Sequence, residues 1–382
     1  MKIIKRLFLS IIAIIALLVA GLYITGHGYI VRGATVTYLN GHTTAFLDDY
    51  NYFDNDTLTV GEAQPWSLAL DYNKVTATKR LDSLNQANRS AAYLIIKNDS
   101  IWYEWYNDGY DHKTLTNSFS MAKSIVTAAL GKAIMQGKIK SLDTRVGDYI
   151  NEFSSGAAAD MTVGDLASMA SGLDWDEKYY SPFSKTTQLY FDTELATFMK
   201  SIPVVEKPGT RYEYSSGATQ LLAMTIEKAV GEKLASYVAR NFWKPLGAEN
   251  DALWQTDPNG LAKAYCCIAS NARDFARFGK LYKQSGRWNG DQILDSAFVK
   301  KSVTPRFQET PFYGYGWWLT EYEGKEVFYM RGHLGQYVIV IPQDDLIVVR
   351  LGHLGNVSPE GQFHSRDFRI YIEEAQKMLG TR

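Results

Sequence analysis

The chain contains 382 residues, 46% of them hydrophobic, and carries a formal net charge of −1. A chain of this length can bury one large core, or two lobes that share a cleft. Because the charge is close to neutral and no basic stripe is present, nucleic acid is not expected as a partner.

The N-terminus combines a cationic segment with a long apolar run. Lys2, Lys5 and Arg6 precede residues 7–24, which are almost uninterruptedly apolar and long enough to cross a bilayer as one helix. The charge bias predicts a single-pass anchor in the inner (cytoplasmic) membrane, with the rest of the chain in the periplasm or outside. The alternative is a cleaved signal peptide, with the small residues at 19–21 as its processing site.

The chain after this run divides into an extension and a main domain. We interpret residues 1–25 as the anchor or signal segment, 26–75 as a tether and N-terminal extension laid over the main body, and 76–382 as the main domain. Near its start, residues 91–97 and 101–106 are apolar. The turn residues between them predict a β-hairpin.

The middle of the chain has helical periodicity, and strand patterns return near its end. Helices are predicted at 163–169, 193–201, 218–229, from about 234, and at 271–284. Strands are predicted at 315–322, 327–331, 336–342 and 346–351, before a last amphipathic helix at 366–379. This order predicts one sheet built from both ends of the domain, with an inserted helical subdomain. A cleft between the two lobes is the expected place for a site.

Ser120 and Lys123 lie at the start of another predicted helix. Apolar residues recur at helical spacing from 125 to 135, so Ser120 lies in or near the first turn. At positions i and i+3 the two side chains share a face, which brings the amine within reach of the hydroxyl. The helix N-terminus and partial burial disfavour an ammonium, so Lys123 can accept the proton of a nucleophilic serine. The alternative is an N-capping serine beside an exposed lysine.

The two cysteines, Cys266 and Cys267, are adjacent. Neighbouring cysteines rarely close an unstrained disulfide, so two packed thiols are expected. Neither is expected to be a nucleophile, since no histidine that could act as a base is close in the sequence.

Two further motifs lie downstream of Ser120. Residues 207–217 contain a Pro-Gly turn and then Tyr214-Ser215-Ser216, immediately before an apolar helix. Residues 331–336 read Arg-Gly-His-Leu-Gly-Gln and open a strand, and their glycines permit close approach of the backbone to a ligand. Taken singly, Tyr214 is more typical of a core or surface tyrosine, and His333 is equally typical of a hydrogen-bonded loop histidine without a role.

The ordered set Ser-x-x-Lys, Tyr-x-Ser and His-x-Gly resembles the penicillin-recognising serine hydrolases. More closely, it resembles the class C β-lactamase-like esterases and amidases, and among them the 6-aminohexanoate-dimer hydrolase branch. Residues 166–175, 275–281 and 313–318 also resemble segments of that branch, and the resemblance runs from about residue 80 to the end. It implies an α/β (α+β) fold, in which an antiparallel sheet is flanked by helices and carries an inserted all-helical subdomain.

The resemblance also implies catalytic roles. Ser120 is the acylated nucleophile and Lys123 its proton acceptor. Tyr214, as a phenolate or by relay with Lys123, protonates the leaving group and later activates water. Ser216 stands where many relatives carry an amide, and hydrogen-bonds Lys123 or the substrate. The backbone N–H groups of Ser120 and Gln336 form the oxyanion hole.

Further candidates for substrate contact come from two loops. His333 and Gly335 belong to the third motif, and Tyr179, Tyr180 and Asp192 lie in an aromatic, polar loop over the expected cleft. His333 stands where β-lactamases carry a lysine that binds the carboxylate of the drug, and Leu334 replaces the neighbouring hydroxyl residue. These departures favour the esterase and amidase branch.

The sequence therefore predicts a serine hydrolase that cleaves small esters, amides or peptide-like substrates. The alternatives are a cell-wall D-alanyl peptidase or β-lactamase with the same machinery, and a non-catalytic binding module of the same fold. A degenerate copy should lack a catalytic residue, whereas Ser120, Lys123 and Tyr214 are all present. No cofactor is expected, and the sequence contains no metal-ligand cluster. The preference between ester and amide stays open.

Overall fold

The computed structural model describes residues 1–356, 358 and 363–380. Its α-helices are α1 (Lys2–Ile24), α2 (Gly28–Val36), α3 (Lys79–Ala87), α4 (Ala122–Met135), α5 (Val163–Ala167), α6 (Lys185–Phe191), α7 (Leu195–Ser201), α8 (Ser216–Val230), α9 (Leu234–Val238), α10 (Ala272–Lys283), α11 (Ser296–Ser302) and α12 (Arg366–Met378).

The strands described are numbered in chain order. They are β1 (Asp54–Leu58), β2 (Ser67–Leu68), β3 (Ser90–Lys97), β4 (Ser100–Tyr106), β5 (Thr116–Asn117), β6 (Ala252–Thr256), β7 (Ile268–Ser270), β8 (Arg287–Trp288), β9 (Asp291–Gln292), β10 (Trp318–Tyr322), β11 (Lys325–Gly332), β12 (Gln336–Ile341) and β13 (Leu346–Gly352).

The main sheet has seven strands in the order β10-β11-β12-β13-β3-β4-β2. Strands from both ends of the domain meet where β13 pairs antiparallel with β3, with Leu346 opposite Lys97. These two central strands are buried along almost their whole length, which is why both read as continuous apolar runs rather than alternating ones. The predicted fold class, with a mainly antiparallel sheet built from both chain ends, is confirmed.

Helices cover both faces of the main sheet. On one face α10 packs against β12 and β13. A Cβ added to Gly279 of α10 would lie only 2.9 Å from Val338, so this glycine allows the close approach of helix and sheet. On the other face α3 and α12 pack together, and the Tyr93 hydroxyl donates to the Tyr371 carbonyl at 2.8 Å.

The segment between the two halves of the sheet is mainly helical but also carries strands that the periodicity did not predict. A second sheet has the order β1-β6-β7-β5. Its strands are only two to five residues long, so an alternating pattern cannot develop within them. Through β1, which pairs with β6 from Asp54 to Leu58, the N-terminal extension becomes part of this sheet.

The strand predicted at 315–322 begins later, at Trp318. The preceding residues form a turn against α4, in which Gly316 has a φ of +75°. A Cβ at Gly316 would meet the Thr127 side chain, and the Ser124 hydroxyl donates to the Gly316 carbonyl at 2.6 Å. Because these residues contact α4, they form a turn instead of extending the strand.

Asp49 fixes the extension to the main body. Its buried carboxylate accepts hydrogen bonds from Asn117 at 2.9 Å, from the Tyr190 hydroxyl at 2.6 Å and from Gln255 at 2.8 Å. Burial raises the pKa of Asp49, and the hydrogen bonds from Tyr190 and Asn117 oppose that shift. One side chain of the extension thus joins α6, β6 and the strand that leads to Ser120.

The N-terminal apolar run forms the predicted helix, α1, and none of its residues is buried. Within the described residues, α1 is the one helix long and apolar enough to cross a membrane, a test that a signal sequence also passes. The next helix, α2, begins only four residues after α1 ends. It packs on α6, where a Cβ at Gly33 would lie 3.0 Å from the Phe191 ring.

Candidate active site

Ser120 lies in a short 3-10 turn, Phe119–Met121, that leads into α4. The residue before it, Phe119, has a φ of +44°, a left-handed conformation that costs a non-glycine residue about 1–2 kcal/mol. The Asn117 side chain accepts from the Phe119 N–H at 2.8 Å and holds this conformation. The backbone therefore turns sharply and presents Ser120 at the cleft.

Lys123 lies one helical turn further on and points back at Ser120. Its Nζ is 2.9 Å from Ser120 Oγ, 3.1 Å from Ser216 Oγ and 2.9 Å from the Tyr265 carbonyl oxygen. Burial lowers the pKa of Lys123 to about 8, although the Glu177 carboxylate opposes the shift. About a tenth of the amine is therefore neutral at pH 7, far more than for an exposed lysine. In that form it has a lone pair that can accept the Ser120 proton.

Tyr214 comes from the turn before α8. Ser215 caps this helix by accepting from the Ala218 N–H at 3.1 Å, so Tyr214 and Ser216 lie on either side of the cap. The Tyr214 ring centroid is 5.1 Å from Lys123 Nζ. Burial and the nearby Glu177 carboxylate raise the pKa of Tyr214 above its usual value, while a hydrogen bond with Ser120 opposes the shift. The phenol is therefore protonated in neutral solution, which disfavours the phenolate alternative.

Ser216 connects Lys123 to a carboxylate that the sequence analysis did not single out. The Ser216 hydroxyl donates to Glu177 Oε1 at 2.6 Å, and its N–H donates to Glu177 Oε2 at 2.9 Å. Trp175 and Tyr179 also donate to this carboxylate, at 2.7 and 2.8 Å. No motif marks Glu177 in the sequence; its position beside the candidate loop tyrosines is the one signal that pointed to this region.

The third motif forms the turn between β11 and β12. A Cβ at Gly332 would lie 2.3 Å from the Ser118 carbonyl oxygen, so the strand passes very close to the segment before Ser120. At Gly335 the φ is +77°, and a Cβ there would approach Arg350 to 2.8 Å. Arg350, which the sequence analysis also missed, is fully buried and donates to the Leu334 and Gly335 carbonyls at 2.8 Å.

The side chain of Gln336 points away from the cleft. Its amide nitrogen donates to the His333 and Gly352 carbonyls at 3.0 and 2.7 Å, and its oxygen accepts from the Gly352 N–H. The side chain therefore fixes the turn to β13, and any contact with substrate is left to the backbone N–H of Gln336.

His333 lies among aromatic rings at the cleft. Its ring centroid is 5.6 Å from that of Phe119, 5.0 Å from Tyr179 and 6.2 Å from Tyr180. Burial lowers the pKa of His333 to about 4, so the imidazole is neutral at physiological pH. At this position of the motif the chain therefore presents an uncharged ring where β-lactamases have a cation.

Two recesses open on either side of Ser120, and both are also bordered by Tyr180 and His333. The first recess, a cavity of about 140 Å³, is walled by α2 and the residues after it. The second recess, of about 470 Å³, is bordered by the charged and phenolic side chains of Glu177, Tyr214 and Arg331, and also by apolar groups.

Among the predicted loop residues, Asp192 has a different position. Its carboxylate accepts from the Thr193 and Glu194 N–H groups at 2.7 and 3.1 Å, and from the Gln188 side chain at 3.0 Å. Asp192 therefore shapes the connection between α6 and α7, whereas Tyr179 and Tyr180 border both recesses.

The expectation of two free thiols is wrong. Cys266 and Cys267 are joined by a disulfide between neighbours. The chain turns tightly here, and Cys267 adopts a left-handed backbone conformation with a φ of +77°, which the sequence pattern does not indicate. Cys266 borders the first recess, and the Tyr265 carbonyl just before it accepts the hydrogen bond from Lys123.

Comparison with known proteins places these residues in a family. The sequence model of the Beta-lactamase family matches residues 73–367, well over half of the chain. This chain belongs to the beta-lactamase family. It is thus a member of a family of hydrolases, and the resemblance inferred from the ordered motifs is confirmed.

Within the beta-lactamase family, the chain is similar to proteins of the predicted branch. A 6-aminohexanoate-dimer hydrolase of Paenarthrobacter ureafaciens is 23% identical over 283 residues, which cover 68% of this chain and 71% of the relative. A solved structure from Bacillus anthracis, provisionally assigned as a 6-aminohexanoate-dimer hydrolase, is 22% identical with a TM-score of 0.77. The match covers 88% of this chain and 94% of the Bacillus anthracis chain.

A family VIII carboxylesterase shares the fold at a TM-score of 0.61 and 16% identity, covering 82% of this chain and 99% of its own. At these identities the two solved structures establish the common fold alone.

Proposed function

We propose that this chain is a serine hydrolase that cleaves esters or short amides through an acyl-enzyme on Ser120. The observation that carries the proposal is the 2.9 Å contact between Lys123 Nζ and Ser120 Oγ, together with the lowered pKa of Lys123, about 8. A serine hydroxyl attacks poorly until a base takes its proton, and a buried, partly neutral amine at hydrogen-bond distance provides that base.

In the first step, the Ser120 oxygen attacks the substrate carbonyl carbon while its proton passes to Lys123. The carbonyl π electrons move to the oxygen, and the backbone N–H groups of Ser120 and Gln336 stabilise the resulting oxyanion. The Ser216 hydroxyl, held by Glu177, accepts a hydrogen bond from the amine and keeps it directed at Ser120.

In the second step, Tyr214 donates its phenolic proton to the leaving alcohol or amine as the bond to the acyl carbon breaks. Lys123, protonated in the first step, returns a proton to Tyr214. The raised pKa of Tyr214 supports this relay, because a protonated phenol is the form that can donate. Water then attacks the acyl-enzyme, loses its proton to the same groups and releases the acid with regeneration of Ser120.

The His333 ring is uncharged at neutral pH, which supports esters and short amides rather than β-lactams as substrates. Arg331 supplies a cation to the second recess, but its guanidinium already donates to the Phe363 carbonyl at 2.6 Å and to Ser358 at 3.0 Å. It also lies 5.1 Å above the Trp318 ring. We therefore place the D-alanyl peptidase and β-lactamase alternatives second.

The proposed location follows from α1. With residues 7–24 in the inner membrane, the hydrolase domain faces the periplasm or the outside, and residues 26–75 connect the two. A membrane-anchored protein should sediment with membranes and require detergent rather than high salt for extraction. A soluble product that lacks about the first twenty residues would instead favour the signal-peptide alternative.

The function is tested with a substrate screen on the purified chain. p-Nitrophenyl acetate, a linear amide of a short ω-amino acid and nitrocefin are compared for wild type and Ser120→Ala. Hydrolysis of the ester or the amide that is lost in Ser120→Ala supports the proposal. Wild-type protein that hydrolyses none of the three would support the binding-module alternative.

A further inference from the structure

The first recess beside Ser120 is mainly apolar, and the N-terminal extension builds one of its walls. It begins at Ser120 and runs towards α2. Most of its surface is apolar, although threonine and serine side chains also border it. Its apolar lining residues include Ile30, Ala34, Phe119, Tyr190, Phe191 and Cys266. A cavity of this composition favours hydrocarbon over water-soluble polar groups.

The wall that α2 provides is a fixed part of the fold. Gly33 allows α2 to lie directly on the Phe191 ring, since a Cβ there would be only 3.0 Å from it. Asp49, near the middle of the extension, ties it to Asn117, three residues before Ser120, and to Tyr190 in the cavity wall. The extension therefore shapes the cavity instead of hanging loosely in front of it.

The same extension brings the cavity next to the membrane helix. α1 ends at Ile24 and α2 begins at Gly28. The two helices are in contact, because a Cβ at Gly28 would lie 2.8 Å from the Tyr23 ring. At this junction the His27 ring centroid is 6.4 Å from that of Phe183, which stands close to the cavity mouth.

Large apolar side chains are exposed around that mouth. Tyr38, Leu39, Tyr180 and Phe183 are each 65–80% exposed. Tyr38 and Tyr180 line the cavity directly, and Leu39 and Phe183 lie beside lining residues. Exposed aromatic and aliphatic side chains next to a membrane helix are typical of surfaces that contact the bilayer interface.

We propose that the cavity binds the first carbons of the acyl chain of a membrane-resident ester, which enters from the bilayer surface and places its carbonyl at Ser120. A volume of about 140 Å³ accommodates a short hydrocarbon segment, so the rest of a long chain lies along the exposed apolar side chains at the mouth. This inference rests on the proposed function. Tyr214 lines the second recess and not the first. Because Tyr214 protonates the leaving group, the alcohol lies in the second recess, beside the Glu177 carboxylate and the Arg331 guanidinium. The acyl chain therefore occupies the other cavity, which is the apolar first recess.

The reaction then transfers the lipid acyl group to the Ser120 oxygen and breaks the ester C–O bond. The alcohol leaves with a proton from Tyr214. Water adds to the acyl-enzyme, and the products are a fatty acid and the free alcohol. No oxidant, reductant or further co-reactant is needed.

The first test measures kcat/KM for p-nitrophenyl acetate, butyrate and octanoate with the full chain in phosphatidylcholine nanodiscs. Burial of two additional methylenes should raise kcat/KM about tenfold from acetate to butyrate, at ~0.8 kcal/mol per methylene. Ala34→Phe, which narrows the cavity, should lower the octanoate-to-acetate ratio about tenfold or more. Thr35→Phe, an exposed neighbour on the same helix that does not line the cavity, should keep the wild-type ratio.

The second test presents the ester in the membrane. 4-Methylumbelliferyl oleate is incorporated into the same nanodiscs, and its hydrolysis is compared with that of soluble p-nitrophenyl butyrate. Leu39→Asp at the mouth should lower the oleate-to-butyrate ratio. Leu70→Asp, a matched change at a fully exposed leucine beyond β2, should not.

The outcomes separate the two proposals. A chain that hydrolyses acetate through Ser120, but has no preference for longer acyl chains and an unchanged ratio in Ala34→Phe, would overturn the acyl-cavity proposal alone. Failure to hydrolyse any of these esters or the linear amide would overturn the proposed function. Equal loss on all esters in Ala34→Phe would also count against the acyl cavity, because it would mean a general distortion of the site.

Discussion

The Lys123 amine lies 2.9 Å from the Ser120 hydroxyl, in surroundings that lower its pKa to about 8. Both features come from the local fold. A left-handed Phe119 turns the chain into α4, and α4 buries the lysine one turn after the serine. The geometry and the protonation state that a serine nucleophile needs are thus set by the same helix.

The rate should rise with pH through the titration of Lys123. Because the base is the neutral amine, and the pKa of Lys123 is about 8, kcat/KM for p-nitrophenyl acetate should increase from pH 6 and level off above about pH 9. Tyr214, with its raised pKa, should stay protonated over this range, so no fall in rate is expected below about pH 10. A profile that is flat between pH 6 and 10, after correction for spontaneous hydrolysis, would argue against Lys123 as the base.

Removal of either proton-transfer group should suppress turnover without unfolding the protein. Lys123→Ala and Tyr214→Phe are each expected to lower kcat by about 10²- to 10⁴-fold, the usual contribution of a positioned acid or base. Circular dichroism before the assay serves as the control for folding. Near wild-type turnover in a folded variant would remove that residue from the relay.

Neutralising Glu177 should shift the pH profile. Its carboxylate raises the pKa of Lys123, so Glu177→Gln should lower that pKa and move the acid limb of kcat/KM below about pH 8. A merely structural role would reduce the rate at every pH without moving the limb. Asp174→Asn, an exposed carboxylate on the same loop that pairs with Lys185, is the matched control. An unmoved limb in Glu177→Gln would contradict the electrostatic role.

Loss of the Asp49 carboxylate should destabilise the fold. Asp49→Ala leaves the Asn117, Tyr190 and Gln255 donors without their buried acceptor, at a cost on the order of 3 kcal/mol. The midpoint of thermal unfolding should therefore fall by several degrees. Asp48→Ala, an exposed neighbour, should leave the midpoint nearly unchanged. Equal midpoints for the two variants would mean that Asp49 does not anchor the extension.

Esters should be cleaved far better than β-lactams. With its pKa lowered to about 4, the His333 ring is uncharged at neutral pH and supplies no cation for the β-lactam carboxylate. The specificity constant for p-nitrophenyl butyrate should therefore exceed that for nitrocefin by a wide margin. Comparable constants for the two substrates would favour the β-lactamase alternative.

The sequence was sufficient for the features that depend on local pattern. The apolar runs of β3 and β13 predicted two strands of one sheet built from both ends of the domain, and the i, i+3 spacing predicted the approach of Lys123 to Ser120. These features follow from helix and strand periodicity, which the chain expresses strongly in these segments.

The sequence did not predict features that depend on contacts between distant segments. Glu177 accepts a hydrogen bond from Ser216, which lies 39 positions later in the sequence. Arg350 donates to the backbone carbonyl of Gly335, 15 positions earlier, and a backbone carbonyl carries no sequence signal. The disulfide at Cys266 depends on a left-handed neighbour, which only the folded turn reveals. For the same reason, the sequence predicted an extension laid over the main body, but it did not reveal the buried Asp49 contacts that hold the extension there.

The central claim is that Ser120 becomes covalently acylated. Its most direct test is intact-mass and peptide-level mass spectrometry after reaction with a fluorophosphonate probe, for wild type and Ser120→Ala. The account predicts a single adduct on the peptide that contains Ser120 in the wild type, and no adduct in the variant. Labelling that persists in Ser120→Ala, or that maps to another serine, would contradict it.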